Sequence, residues 1–286
     1  MSNSLTKIDD IILQSKQHNK PLLVDATFLA TTHNKPLILF LHGFKGFKDW
    51  GHWNLMAEEM ARKGFCVVKF NFSHNGTTPS NPTAFDDLEA FSKNKLTIEL
   101  DDIKVVMDYL FSNACTIPNI DHSKCYLIGH SRGGGIGCIA TSEDHRIRGL
   151  VTWAGISDFE KRWPEDTVKQ WTEEGVIYIP NSRTKQQMPM KFEIAEDYFQ
   201  HKERLNIENA VKSLSVPYLI IHGTDDPTVN VEEAEKLHQW SKESELLIVK
   251  GADHVFDGKH PYDEKELPAN SRKILDKTVT FLSDLS

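Results

Sequence analysis

The chain has 286 residues, 33 Lys and Arg against 41 Asp and Glu, and a formal net charge of -8. That acidic balance argues against a general nucleic-acid binder, which needs a basic face, and no apolar run is long enough to span a bilayer. The length admits one large domain or two small ones. The alternation of strand and helix signals favours a single α/β domain over 1–286, with a mostly parallel sheet covered by helices on both faces.

Residues 1–7 lack the apolar stretch of a secretion signal. The segment 11–30 reads as a hairpin, with strands near 11–13 and 22–29 and polar residues between. A further strand follows at 37–41, running into His42-Gly43-Phe44. Residues 53–63 read as a helix stopped by Gly64, and 66–72 as a strand. After a polar, Pro-containing loop, 96–111 carries Leu96, Leu100, Ile103, Val106, Met107 and Leu110 on one helical face. Cys125-Tyr126-Leu127-Ile128 is a buried-strand pattern, and 149–153 another. From Trp153 to about Asn209 the rhythm breaks into aromatic and charged residues with Pro164, Pro180 and Pro189 and no clear sheet periodicity. A structureless loop of that length is uncommon and usually functional; an elaborate connection is the plainer reading. The closing pattern is a helix at 232–242, a strand at 246–249, a loop holding His254, and a helix at 271–282.

The motif that carries chemistry is Gly129-His130-Ser131-Arg132-Gly133, set between a strand and a small-residue helix start. A serine between two glycines at such a turn is lifted out of the sheet, and side chains two residues before or after it would crowd the turn. The pattern alone is weak, because short Gly/Ser patterns arise by chance. Two later strand ends strengthen it. Asp226, with Asp225 as close competitor, follows the strand at Tyr218-Leu219-Ile220-Ile221, and capping of the next helix is the plainer role for either. His254 follows the strand at 246–249; a neutral imidazole there can take a serine proton and return it to a leaving group.

The order Ser131, Asp226, His254, the strand-end positions and His42-Gly43-Phe44 together resemble the α/β-hydrolase superfamily, over nearly the whole chain from about Lys35. His42-Gly43-Phe44-Lys45-Gly46 and His222-Gly223-Thr224-Asp225-Asp226 look most like feruloyl/cinnamoyl-type carboxylesterases and dienelactone-hydrolase-like relatives. The resemblance implies an α/β-hydrolase fold with a cap inserted at 154–209. It also implies a serine hydrolase that cleaves a small-molecule carboxylic ester through an acyl-enzyme. Ser131, Asp226 and His254 are then the catalytic set, and the backbone N–H groups of Phe44 and Arg132 the oxyanion donors. It calls for no cofactor.

Phe47, Trp50, Trp163 and Trp171 are the aromatic candidates for contacting an apolar or aromatic acyl group, although such rings as often pack a loop. Lys45, Lys48 and Arg132 are candidates to attract an anionic substrate, solvated surface charge being the plainer account. His42 and His130 read as supports of the loop and the elbow, and neither has metal-ligand spacing, so no metal site is expected. Cys66, Cys115, Cys125 and Cys138 form no C-x-x-C pair and read as reduced thiols of a cytoplasmic protein. No nucleic-acid or membrane partner is expected, and oligomeric state is not legible. A peptidase, thioesterase or lactonase on the same residues, or a non-catalytic ligand-binding protein, stays open as an alternative.

Overall fold

The computed structural model describes residues 4–15 and 19–286. Residues 1–3, the head of the segment without a signal pattern, and 16–18, within the polar tip expected for the first hairpin, lie outside the described residues. An eight-stranded sheet runs in the order β1-β2-β4-β3-β5-β6-β9-β10. Its strands are β1 (Leu5–Gln14), β2 (Pro21–Leu29), β3 (Lys35–Leu41), β4 (Cys66–Phe70), β5 (Ile120–His130), β6 (Ile147–Trp153), β9 (Tyr218–Gly223) and β10 (Ser244–Val249). β1 and β2 pair antiparallel, β2 meets β4 antiparallel, and every other pairing in the sheet is parallel. This is the α/β-hydrolase architecture.

The period of two in the central strands builds two cores. In β3, Leu37, Leu39 and Leu41 enter one cluster while Ile38 and Phe40 enter the other; in β5, Cys125 and Leu127 alternate in the same way with Tyr126 and Ile128. The first face is covered by α3 (Leu96–Leu110), α4 (Arg132–Glu143), α7 (Ile207–Ser213) and α8 (Val231–Trp240). The apolar stripe expected on α3 is the buried one. The second face is covered by α1 (Trp53–Arg62) and α9 (Ala269–Asp284).

Two expectations change. The first strand begins at Leu5, well before residue 11, because a bulge between Ile8 and Ile11, with Asp10 at φ 61°, shifts the apolar alternation out of phase. The segment after β6 is ordered rather than aperiodic. It holds a 3₁₀ turn (Glu160–Arg162), α5 (Glu165–Glu174), an antiparallel hairpin of β7 (Val176–Pro180) and β8 (Gln187–Lys191), and α6 (Glu193–Gln200). Trp171, Met188, Met190 and Ile194 of this segment share a third core with Phe47, Phe85 and Phe91 of the main body. Phe91 belongs to a short helix, α2 (Leu88–Phe91), which follows the polar, Pro-containing loop.

Candidate active site

Ser131 sits at the C-terminal end of β5, where the backbone turns at once into α4. Its φ of 56° and ψ of -121° are unusual for a residue with a side chain, and the bond from its N–H to the Trp153 carbonyl (2.9 Å) holds the turn. A β-carbon on Gly129 would lie 2.3 Å from the Gly133 carbonyl oxygen, and one on Gly133 would lie 2.5 Å from that of Leu41. Only glycine fits at either place. This is the physical content of the Gly-x-Ser-x-Gly spacing.

Two other strand ends converge on the same point. His254, in the loop after β10, accepts the Ser131 hydroxyl at Nε2 (3.0 Å) and turns Nδ1 to Asp226 Oδ2 (2.7 Å). Asp226, after β9, has a fully buried side chain. Its Oδ1 accepts the backbone N–H groups of Thr228 (2.8 Å) and Val229 (2.9 Å). Burial works to raise its pKa, but hydrogen bonds from His222 and His254 outweigh that and hold it below the usual carboxylate range. Asp225 is exposed and accepts the Thr224 hydroxyl (2.7 Å). Of the two carboxylates, Asp226 is the one in contact with the imidazole.

Two buried histidines frame the group. Burial pushes the His42 pKa down to about 4. Its Nδ1 bonds the Gly43 carbonyl (2.9 Å), which leaves Nε2 to accept the Phe72 N–H (3.3 Å). The ring thus ties the 42–44 loop to β4's exit. His130 is pushed to about 3 by burial and by the neighbouring His254, so its neutral ring donates from Nε2 to the His254 carbonyl (2.9 Å). Both match the supporting roles read from the sequence.

Two cavities open at Ser131. One, of about 440 Å³, is lined by Trp50, His254, Lys45 and Arg183 among others. The other, of about 240 Å³, is lined mainly by apolar residues including Phe44, Ile156, Trp163 and Met190. Among the described residues no group of His, Cys, Asp and Glu is arranged to hold a metal ion.

The sequence profile of the prolyl oligopeptidase family matches residues 53–270, about three quarters of the chain. The chain belongs to the prolyl oligopeptidase family. A Bacillus subtilis (strain 168) protein described as the uncharacterized peptidase YtmA is 25% identical to this family member over 147 residues, 50% of this chain and 52% of YtmA. The match thus spans about half the length of that curated relative. Among solved structures, Est1E from Butyrivibrio proteoclasticus with ferulic acid bound superimposes with a TM-score of 0.72 at 17% identity, covering 96% of this chain and 98% of Est1E. A dienelactone hydrolase from Anabaena variabilis gives 0.62 at 13% identity, with 98% of each chain covered. At such identities the likeness is one of fold, and it is the α/β-hydrolase fold expected from the sequence.

Of the four aromatic candidates, Trp50 and Trp163 reach the cavities. Phe47 and Trp171 do not. Both are completely buried in the third core, where Trp171 donates its indole N–H to the Met190 carbonyl (2.7 Å), so the expectation of substrate contact is corrected for this pair. The cation reading is corrected as well. Lys48 is buried and bridges Asp25 and Asp49, while Arg132 pairs with buried Glu99, so neither is a solvated charge nor free for an anion.

Two site residues escaped the sequence reading. His222, wholly buried on β9, shares its Nε2 between the Val229 carbonyl (2.9 Å) and Asp226 Oδ2 (3.3 Å) and braces the carboxylate. Arg183 lies in the turn between β7 and β8, in a polar stretch with no pattern to single it out.

Proposed function

We propose that the protein is a serine hydrolase that cleaves a carboxylic ester through an acyl-enzyme. The observation that carries this reading is the unbroken chain of contacts Ser131–His254–Asp226 at the mouth of two cavities. In it, His254 Nε2 takes the hydroxyl proton as Ser131 Oγ bonds to the acyl carbon. The bond to the leaving oxygen then breaks as His254 returns the proton to that oxygen. A water, deprotonated by the same imidazole, attacks the acyl-enzyme and releases a carboxylic acid. Asp226 keeps Nδ1 protonated and stabilises the imidazolium.

The negative charge that develops on the carbonyl oxygen is assigned to the backbone N–H groups of Arg132 and Phe44. Arg132 opens α4, and the first N–H groups of a helix have no internal acceptor. Among the described residues neither N–H has a hydrogen-bond acceptor. The segment 154–209 acts as a lid in this account, contributing Trp163, Ile179 and Met190 to the smaller cavity. That cavity suits an apolar or aromatic acyl group. Ferulic acid, the aromatic ligand bound in the Est1E structure, is in keeping with this.

A second reading, a peptidase on the same residues, is favoured by the family match and by the description of YtmA. Steady-state turnover of p-nitrophenyl esters, cinnamoyl esters and aminoacyl amides on one preparation separates the two. The ester reading expects cinnamoyl and p-nitrophenyl esters to exceed matched amides by orders of magnitude in kcat/KM beyond their intrinsic reactivity. Preference for amides would transfer the assignment to the peptidase.

A further inference from the structure

The cations at the two cavities are not alike. In the smaller, mainly apolar cavity, Arg132 is held by Glu99 and Arg162 by Glu233. In the larger cavity, Lys45 and Arg183 have no acidic partner among the described residues, and no Asp or Glu lines the wall. Although the chain has eight more acidic than basic residues, no described carboxylate lines the chamber that contains His254 and these two cations.

Their mounting is built for presentation rather than for stability. The Arg183 guanidinium lies 5.1 Å from the Phe47 ring centroid and 5.7 Å from that of Phe85. A guanidinium held over aromatic rings spends none of its N–H donors on them, which leaves those donors free for a planar anion. Phe47 and Phe85 are themselves buried in the third core, packed against the residues around them. This gives the burial of Phe47 a purpose in the site that direct contact does not. Lys45 spends one donor on the Pro180 carbonyl (3.2 Å) and keeps two. Burial lowers the pKa of both groups, the cost of holding a cation there without a counter-ion.

Chemistry decides which half of the substrate enters this chamber. The leaving group receives its proton from His254, so it must lie beside Nε2, and the chamber with His254 is the one with Lys45 and Arg183. The acyl half then runs past Arg132 into the apolar chamber, which His254 does not line. Resting on the hydrolase reading above, we infer that the substrate is amphipathic: an apolar acyl group joined to a leaving group that carries a carboxylate, held by Arg183 and Lys45.

The test compares cinnamoyl esters of 3-hydroxybenzoate and of its neutral isostere 3-hydroxybenzamide, each rate normalised to alkaline hydrolysis, on the wild-type protein and on Arg183→Gln. A charge-assisted pair with a half-buried guanidinium is expected to give the carboxylate ester an advantage of about tenfold in kcat/KM, mostly in KM. In Arg183→Gln the ratio of the two esters falls towards one, and Arg183→Lys restores part of it. Equal normalised rates on wild-type protein, with turnover evident, overturn this inference while leaving the hydrolase reading intact. Absence of turnover with both esters and with p-nitrophenyl acetate overturns the hydrolase reading, and the inference with it. The wild-type comparison does not depend on whether the variants fold.

Discussion

His254 Nδ1 lies 2.7 Å from Asp226 Oδ2, across 28 residues of sequence and at the ends of two neighbouring strands. The parallel pairing of β9 with β10, Tyr218 opposite Ser244 through Gly223 opposite Val249, brings both loops to the same edge of the sheet. A carboxylate held below its normal pKa stays charged at a pH where an ordinary Asp is already protonated, and so holds the ring by Nδ1.

That relationship separates two adjacent carboxylates. Asp226→Asn removes the negative charge and can set an amide N–H against Nδ1, favouring the wrong tautomer of the imidazole, and a loss of about 10³- to 10⁴-fold in kcat is expected. Asp225→Asn touches only the Thr224 hydroxyl, so its kcat stays within about twofold. Equal losses in the two variants, measured on one ester, would contradict the assignment.

The glycines of the elbow are separable from glycines that merely turn the chain. Gly129→Ala drives a β-carbon to 2.3 Å from a backbone oxygen that cannot move without dismantling the turn. A loss of at least about 3 kcal/mol in urea unfolding is expected. Gly175, which ends α5 at φ +72°, meets nothing within 4 Å, so its alanine variant pays only the left-handed backbone, about 1 kcal/mol. The reverse ranking would mean that the elbow is not so tightly packed.

Arg132 bears on stability as well as on turnover. Its side chain is 13% exposed and its partner Glu99 4%. Arg132→Ala leaves a buried carboxylate without its cation and should cost about 3 kcal/mol, while its backbone N–H, and hence most of the rate, survives. Glu99→Gln added to Arg132→Ala should recover part of that loss in a double-mutant cycle. No coupling between the two would show that the pair is not what holds them.

Stability should fall on mild acidification. Burial holds His42 and His52 at about 4 and His130 at about 3, so below about pH 6.5 the unfolded chain binds protons that the folded chain refuses. The contribution of all three is intact above pH 6.5 and is lost as pH falls towards 4. Asp102, raised to about 8 by burial, acts in the opposite sense, one group against three. A urea midpoint that declines from pH 7 to pH 4.5, by less in His52→Asn, is expected; a flat profile would contradict the neutral-histidine account.

What could be read from the sequence follows physical rules that act locally. Ser131 was visible because its turn excludes β-carbons at two fixed offsets, and the central strands because both their faces are buried. The sequence favours Asp226 but leaves Asp225 a close competitor, since adjacent residues differ only in which way the backbone turns them. Phe47 and Trp171 misled because an aromatic ring is equally at home in a core and in a pocket, and composition does not tell the two apart. The β7–β8 hairpin was hidden for a different reason. It is short and half-exposed, and Pro189 stands in the middle of β8, where a proline argues against a strand. Arg183 acquires meaning only from the rings beneath it, which come from distant parts of the chain.

The central claim is that Ser131 is a nucleophile activated by His254, and an active-site-directed fluorophosphonate tests it most directly. Intact mass and peptide mapping should show one adduct per chain, on Ser131, with labelling slowed by orders of magnitude in His254→Ala and absent in Ser131→Ala. Adducts on another serine, or undiminished labelling of the His254 variant, would contradict it.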